Sequence, residues 1–406
     1  MSVSLEQMIR DEGGRVLATL VRLTGDITIS EDAVQDAVVE ALRRWPAVGV
    51  PDNPAAWLTA VARNRALDVL RREAKRTAKE TDARLLDDVS ASMRERTSDS
   101  MVRDDLLRLL FTCCHPALSV EGRLALALRT LCGLNTAEIA ALFLVPEPTM
   151  GQRISRAKKK IATARIAYRV PADHELPDRL PAVLAVIHAL LTAGHHAPVG
   201  ALDARLDLGA EAVRLARLLH ELMPDEPEST GLLALALATH ARCAARLDQL
   251  GAVVLMADQD RSRWDHDEIA EAAALLDGAV LLRRPGAYQV QAAIACLHGT
   301  ASTYADTDWE QIAGLYATLE RFVPTAVVRV NRAVAVAEAE GAVAALVLLD
   351  ELDAEMIERW HLYWSTRAEL LARLGRIDES RNAFDRALQC SPNDSDRAFL
   401  LARRTP

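Results

Sequence analysis

The chain has 406 residues, which is more than one typical hydrophobic core, and this length predicts two or three domains. Ala and Leu dominate its composition and favour helix. It holds no apolar run long enough to cross a membrane, and the first residues, MSVSLEQMIRDEGG, carry acids instead of the apolar core of a signal peptide. The six cysteines form no CxxC pair. We therefore predict a cytoplasmic protein without a membrane partner, a metal site or a cofactor.

The charge is unevenly distributed along the chain. The net charge of the whole protein is −9. Residues 1–170 hold 26 Lys and Arg against 22 Asp and Glu, a net charge of +4, whereas 171–406 hold 22 against 35, a net charge of −13. Seven bases cluster in 63–79, and seven more lie in 151–170 without an acid. Such clusters are typical of phosphate binding, although a solvated basic helix face has the same composition.

The first segment predicts two long helices joined by a loop. Ser30 precedes EDAVQDAVVEALRRW and is expected to cap a helix that ends at Trp45 and Pro46. The apolar residues Ala33, Ala37, Val38, Ala41 and Leu42 follow helical spacing. The loop VGVPDNP follows, and Asn53 and Pro54 begin the next helix as its cap and first residue.

A second helical unit is predicted after a polar stretch. Residues 77–100 are polar and show no periodicity, which is typical of a flexible linker. Within the unit, Asn135 or Thr136 is expected to cap a short helix, and 145–148 forms a turn. Thr149 is expected to cap the next helix, whose apolar stripe is Met150, Ile154, Ala157 and Ile161.

The polar face of that last helix is basic. In a helix-turn-helix, the N-terminal part of the second helix enters the major groove, where Arg and Gln can bind base edges and Lys can bind phosphates. The alternative is an ordinary helical hairpin with a basic face. The residues predicted to bind DNA here are Thr149, Gln152, Arg153, Arg156, Lys158, Lys159 and Lys160.

Three motifs in one order resemble a known family. SEDAVQDAVVEALRRW and NPAAWLTAVARNRALDVLRR, then a polar linker, then GLNTAEIAALFLVPEPTMGQRISRAKKKI, resemble conserved regions 2 and 4.2 of the extracytoplasmic-function (group IV) RNA polymerase sigma factors of the sigma-70 family. The resemblance covers residues 5–165. It implies a promoter-specificity subunit that binds the polymerase core, through the β′ clamp and the β flap, and promoter DNA. It implies no enzyme activity and no catalytic residue.

The resemblance also implies roles for individual residues. The positions that match those binding the β′ clamp are Asp32, Gln35, Asp36 and Val39. The positions that match those engaging the −10 element are Asn64, Arg65, Asp68, Arg71 and Arg72. The loop 48–53 matches the segment that captures a flipped-out −10 base, and the basic helix matches the reader of the −35 element. Pro148 and Gly151 depart from the family pattern, and Gly151 removes a side chain from the reading helix.

The acidic remainder predicts a further all-α region. The stretch HLYWSTRAELLARLGRIDESRNAFDRALQCSPND, 361–394, resembles a tetratricopeptide repeat, and a looser copy precedes it with Gly341 in the place of Gly375. The motif DQDRSRW resembles a signature of the sigma-factor subgroup with a long tetratricopeptide-like extension. From its residues alone, the segment from Asp258 to Asp265 is either a salt-bridged loop that caps a helix near Asp267 or a small active site.

These features predict an all-α protein with four segments. Residues 1–76 form a sigma region 2 helical bundle, 77–103 a linker, 104–170 a region 4 helix-turn-helix domain, and 171–406 a tetratricopeptide-like array. We expect the array to regulate the sigma module through a protein partner or an intramolecular contact, either by inhibiting or by assisting initiation. The alternatives are a tetratricopeptide scaffold without promoter activity and an enzyme built on 258–265.

Overall fold

The computed structural model describes residues 5–77, 99–143, 145–171, 173–195, 202–248, 254–352, 357–358, 360–390 and 394–404. The chain divides into two compact units, unit 1 (Met1–Leu190) and unit 2 (Leu191–Pro406). The described residues contain helices, turns and connecting segments without a β-strand, which confirms the predicted all-α fold.

Unit 1 contains two groups of helices. The first group is α1 (Leu5–Thr24), α2 (Ile27–Val48) and α3 (Pro54–Thr77). The second group is α4 (Asp99–Cys113), α5 (Val120–Thr130), α6 (Thr136–Leu142) and α7 (Glu147–Thr163). The helix α8 (Leu176–His195) follows and spans the boundary between the two units.

The first group is a three-helix bundle. In α2, Ala33, Ala37 and Ala41 are buried at helical spacing, as the sequence predicts, and Trp45 continues the same stripe. The predicted Leu42 is instead 41 % exposed, because it lies beside the buried stripe and not within it. They belong to one core with residues of α1 and α3: Val16, Leu20, Leu58, Ala62 and Ala66. The rings of Trp45 and Trp57 meet edge to face, with centroids 5.3 Å apart, and close the end of the bundle.

The ends of α2 differ from the prediction. Asp26 caps this helix because its Oδ1 accepts hydrogen bonds from the backbone N–H groups of Thr28 and Ile29. The predicted cap, Ser30, lies inside the helix, where its hydroxyl is buried 2.7 Å from that of Thr24. The helix also continues past Pro46, since a proline in the last turn removes only one backbone hydrogen bond, and it ends at Gly49 with φ 91°.

The second group contains the predicted pair of short helices. Asn135 Oδ1 accepts from the N–H of Glu138, and Glu138 Oε2 accepts from the N–H of Asn135, which is a reciprocal cap for α6. The helix α7 begins at Glu147, two residues before the predicted cap Thr149, because Pro146 and Pro148 suit a helix start. The predicted apolar stripe of α7 is buried: Met150, Ile154, Ala157 and Ile161.

The two groups of helices pack on each other within unit 1. The helix α1 contacts α4, and Arg22 Nε donates to Asp105 Oδ2 at 3.0 Å across this contact. The hydroxyl of Tyr168 lies 2.8 Å from the carbonyl oxygen of Ala18 and 2.9 Å from that of Asp105. A Cβ added at Gly14 would stand 2.6 Å from the carbonyl oxygen of Leu131, so this glycine permits the close approach.

Unit 2 is built from helix pairs. Its helices are α9 (Leu202–Leu222), α10 (Pro227–His240), α11 (His266–Leu281), α12 (Ala287–Thr300), α13 (Trp309–Phe322), α14 (Ala326–Ala339), α15 (Ala342–Asp350), α16 (His361–Arg373), α17 (Ile377–Cys390) and α18 (Asp394–Arg404). The helix α10 contacts α9, α11 and α12, and every residue from Pro227 to Ala238 except Glu228 is buried. Its near-continuous apolar sequence is explained by this surrounded position.

The last helices of unit 2 form repeated hairpins. The helices α14 and α15 turn at Gly341 (φ 98°), and α16 and α17 turn at Gly375 (φ 71°). Both glycines adopt a left-handed conformation that other residues rarely take, which explains why both predicted repeats place glycine there. These helices share one apolar core, which contains Leu349, Tyr363 and Phe384.

Candidate polymerase and promoter interfaces

One face of α2 is exposed and acidic. The four residues that match clamp-binding positions, Asp32, Gln35, Asp36 and Val39, are all exposed. Their spacing places them on one side of the helix, opposite the buried alanine stripe. The apolar Val39, on the same face as these acids, is 55 % exposed.

One face of α3 is exposed and mostly basic. The five residues that match −10-binding positions, Asn64, Arg65, Asp68, Arg71 and Arg72, are all exposed at helical spacing. Arg72 Nε donates to the carbonyl oxygen of Asp68 at 3.1 Å, and an Arg71 nitrogen lies 3.9 Å from the Asp68 carboxylate. These exposed contacts are weak, so the arginines can exchange them for phosphates.

The connection between α2 and α3 presents apolar side chains to solvent. Val48 is 80 % exposed, Val50 is also exposed, and Gly49 turns the chain between them. Asn53 caps α3, as predicted, because its Oδ1 accepts from the N–H of Ala56 at 2.9 Å. A loop held at both ends with exposed valines is suited to contact an unstacked base.

The polar face of α7 is mostly free. Thr149, Gln152, Arg156, Lys159 and Lys160 are exposed, and Arg153 is half-buried. A Cβ added at Gly151 would lie 3.8 Å from the Thr136 side chain, which is an ordinary contact. The glycine therefore leaves a position without a side chain on this face and is not required by packing.

Lys158 is the exception on this helix. It pairs with Glu31 of α2, and Glu31 Oε1 also accepts from Arg129 Nε at 2.5 Å. Glu31 is only 8 % exposed, so this carboxylate is shielded from solvent between two cations. The contact joins α2, through a buried acid beside its exposed face, to the basic helix α7.

Sequence reasoning missed these partners because they are far apart in the chain. Neither Glu31 nor Arg129 is predicted from the sequence to be a functional residue. A second missed group is Asp105, which is fully buried between Arg22 and Arg108. Burial raises the pKa of Asp105 above its ordinary value, and the two arginines oppose that shift. An acid in an otherwise apolar helix, Asp105 in DLLRLLF, is the sequence signal that could have drawn attention to it.

The segment from Asp258 to Asp265 caps a helix, as the loop interpretation of its sequence predicts. Asp265 Oδ1 accepts from the N–H groups of Asp267 and Glu268 at the start of α11. The expected salt bridges are absent from the described part of this segment. Arg261 instead donates to the carbonyl oxygens of His298 and Ala301, and its guanidinium lies 4.5 Å from the Trp264 ring centroid.

Within the described ranges, no group of three or more His, Cys, Asp or Glu residues is placed to hold a metal ion. Among the same residues, no helix is long and apolar enough to cross a membrane. Cys113 and Cys114 are buried, as predicted, and burial raises the pKa of both thiols.

Comparison with known proteins decides the family. The chain matches Sigma-70 region 2 over residues 8–76 and Sigma-70 region 4 over 108–161. It is 31% identical over 160 residues to the ECF RNA polymerase sigma factor SigL of Mycobacterium tuberculosis, covering 39% of this chain and 87% of that protein. The chain belongs to the extracytoplasmic-function sigma factors. The promoter-recognising function predicted from the motifs is thereby confirmed, and the alternative of a scaffold without promoter activity is not favoured.

The sigma factor also has relatives that extend beyond this module. It is 44% identical over 388 residues to "Uncharacterized protein R00370" of Rhizobium meliloti, covering 95% of this chain and 92% of that protein. The probable ECF RNA polymerase sigma factor SigI of Mycobacterium tuberculosis is 31% identical over 160 residues, 39% of this chain and 54% of SigI. The sigma factor further matches a family of unknown function (DUF6596) over 179–280 and a tetratricopeptide repeat over 361–394. The last match confirms the predicted repeat.

Proposed function

We propose that the three exposed faces of unit 1 divide promoter recognition between them. The face of α2 binds the β′ clamp of the polymerase, the face of α3 with the loop 48–53 engages the −10 element, and the face of α7 reads the −35 element. The second group of helices also docks on the β flap. The observation that carries this proposal is that the matching residues of each helix share one exposed face, apart from the half-buried Arg153 and from Lys158, which pairs with Glu31. The chain thus acts as an initiation factor and not as an enzyme.

We further infer that unit 1 opens when it binds a promoter. The −35 and −10 elements lie about 25 base pairs apart, which is roughly 85 Å along the DNA. A compact unit of this size is only roughly 40 Å across. The two groups of helices that pack on each other through Gly14, Arg22 and Glu31 therefore have to separate to reach both elements.

Run-off transcription with purified core polymerase tests promoter recognition. Arg65→Ala and Arg153→Ala should each reduce the promoter-specific transcript, because they remove contacts to the two elements. Arg15→Ala is the control, since this exposed arginine of α1 belongs to none of the three faces. A transcript that does not depend on the chain, or that is unaffected by both substitutions, would refute the assignment.

Unit 2 has a different role in this proposal. Its sequence carries most of the negative charge of the chain, so it is suited to contact proteins and poorly suited to bind DNA. We propose that it regulates the sigma module. Truncation after His195, which keeps α8 whole, tests this role. Constitutive transcription would identify unit 2 as an inhibitor. Loss of transcription would identify unit 2 as an activator, and unchanged transcription would exclude regulation.

A further inference from the structure

Two arginines in unit 2 face one buried tryptophan. Arg242 follows the end of α10, whereas Arg261 and Trp264 belong to the DQDRSRW motif. The guanidinium carbon of Arg261 lies 4.5 Å from the Trp264 ring centroid and that of Arg242 lies 5.9 Å from it. His298, in the last turn of α12, stands beside them and accepts through its carbonyl oxygen from Arg261 Nη1 at 2.8 Å. We call these four residues the arginine–tryptophan cluster.

The charge of Arg242 is buried and that of Arg261 is partly exposed, and neither is paired with a carboxylate among the described residues. Arg242 is 7 % exposed and Trp264 is 3 % exposed. Neither Arg242 nor Arg261 forms an ion pair within the ranges that the structure describes. Arg242 Nη1 approaches only the weak acceptor Met256 Sδ, at 3.7 Å, and Arg261 Nη1 binds neutral backbone carbonyls. Since buried charges in proteins are normally paired, this arrangement lacks an anion.

Several hydrogen-bond donors in the cluster are also unsatisfied. Arg242 Nε, Arg261 Nη2 and Trp264 Nε1 are buried and have no acceptor among the residues that the structure describes. All three groups can donate and none can accept, so a nearby donor cannot satisfy them. His298 Nδ1 is buried without a partner as well. Unsatisfied buried groups are few in folded proteins, and their concentration around one ring indicates a missing acceptor.

The electrostatics of the cluster agree with this geometry. Burial, followed by the neighbouring Arg246 and Arg261, lowers the pKa of Arg242 to about 10, so the guanidinium stays charged at neutral pH. Burial and the charges of Arg242 and Arg261 lower the pKa of His298 to about 4, which leaves its ring neutral. Asp306 acts on Arg261 through its charge without forming an ion pair with it in the described ranges, and its Oδ2 accepts from Thr303 Oγ1.

We propose that the arginine–tryptophan cluster binds a small oxyanion, a carboxylate or a phosphate of a free ligand. A water molecule could satisfy one donor but could not neutralise two guanidinium groups, whereas both oxyanions match the fork of an arginine. The cluster joins the end of α10, the segment before α11 and the end of α12, and Asp265 N–H also donates to the Ala241 carbonyl oxygen. A bound oxyanion would hold these elements together and make unit 2 responsive to a ligand.

Binding to the full chain tests this proposal separately from transcription. Thermal unfolding and calorimetric titration are followed with sodium phosphate and with sodium succinate, each against sodium chloride at equal ionic strength. We expect one oxyanion to bind saturably and to raise the unfolding temperature of unit 2, and its identity separates phosphate from carboxylate ligands. If neither binds more tightly than chloride, the proposal is wrong.

Variants locate the site. Arg261→Gln should weaken the binding of the active oxyanion about tenfold or more, because it removes a charge-assisted hydrogen bond. Trp264→Phe keeps an aromatic ring for Arg261 while removing the Nε1 donor. This variant should therefore fold normally but bind the oxyanion a few-fold more weakly. The matched control is Arg263→Gln, since this neighbouring arginine is exposed. Equal losses in Arg263→Gln and Arg261→Gln, or unchanged binding by Trp264→Phe, would place any bound anion elsewhere.

Discussion

Glu31 of α2 holds Lys158 of α7, so an acid of sigma region 2 binds a cation of the helix that we propose to read the −35 element. Arg129 donates to the same carboxylate. A lysine bound in this way cannot contact a DNA phosphate at the same time. We therefore expect DNA binding through Lys158 to be reduced for as long as this pair is formed.

Replacing Glu31 should loosen the closed arrangement. Glu31→Gln leaves two cations without their counter-charge and should lower the stability of unit 1 by about 2 kcal/mol, measured by denaturant unfolding. It should also increase the affinity for promoter DNA, because Lys158 becomes available. Glu40→Gln is the control. Glu40 lies on the same helix, but its ion pair with the exposed Arg44 is long, at 3.9 Å, and therefore weak. If both variants behave alike, the Glu31 contact does not restrain opening.

The cations of α7 should separate into two classes. Arg153→Ala should cost about 1–3 kcal/mol of binding to a −35 sequence and relax its specificity, as expected for a residue that contacts base edges. Lys159→Ala should weaken all sequences alike and reduce the slope of log affinity against log salt by about 1. Fluorescence anisotropy with matched and scrambled −35 duplexes measures both. The same salt slope in both variants would contradict this division.

Two glycines of unit 1 should respond to alanine in opposite ways. Gly151→Ala meets no close atom and should stabilise α7 by roughly 0.5–1 kcal/mol, because alanine has the higher helix propensity. Gly14→Ala places a Cβ 2.6 Å from the Leu131 carbonyl oxygen and should destabilise the packing between the two helix groups. Thermal unfolding of both variants tests the sign of each change. Stabilisation by Gly14→Ala would show that α1 does not pack closely on the second group of helices at Leu131.

Unit 2 should lose stability at alkaline pH through His240. Hydrogen bonds to Cys243 first, and to Glu268 second, raise the pKa of His240 from 6.5 to about 10. Because the folded state holds this proton more tightly, its contribution is complete below 6.5 and is lost as the pH rises toward 10. The unfolding temperature, measured across that range, should fall less in His240→Gln than in the wild type. An equal fall in both would assign the pH dependence to other groups.

Much of the helical organisation follows from the sequence. The stripe from Met150 to Ile161 is buried as its spacing predicts, because a period near 3.6 residues fixes one face of a helix whatever it packs against. Asn53 caps α3, and Gly341 and Gly375 turn the hairpins, because these properties depend only on neighbouring residues. The exposed faces of α2 and α3 follow from the same periodicity, whereas their binding roles remain predictions.

Helix starts were less well predicted where two capping residues compete. Ser30 and Thr149 are both good caps, but Asp26 and the Pro146–Pro148 turn begin their helices earlier. Burial of Ser30 beside Thr24 depends on how α1 meets α2, which a local pattern does not contain.

Only the tertiary structure decided which charges meet. The sequence by itself determined the helices, the basic and acidic segments and the three motifs, because each depends on residues within a few turns of one another. It did not determine that Glu31 binds Lys158, or that Arg242 is buried beside Trp264 without a carboxylate. These relationships join residues from separate helices, and they form only when apolar faces pack and bring distant parts of the chain together.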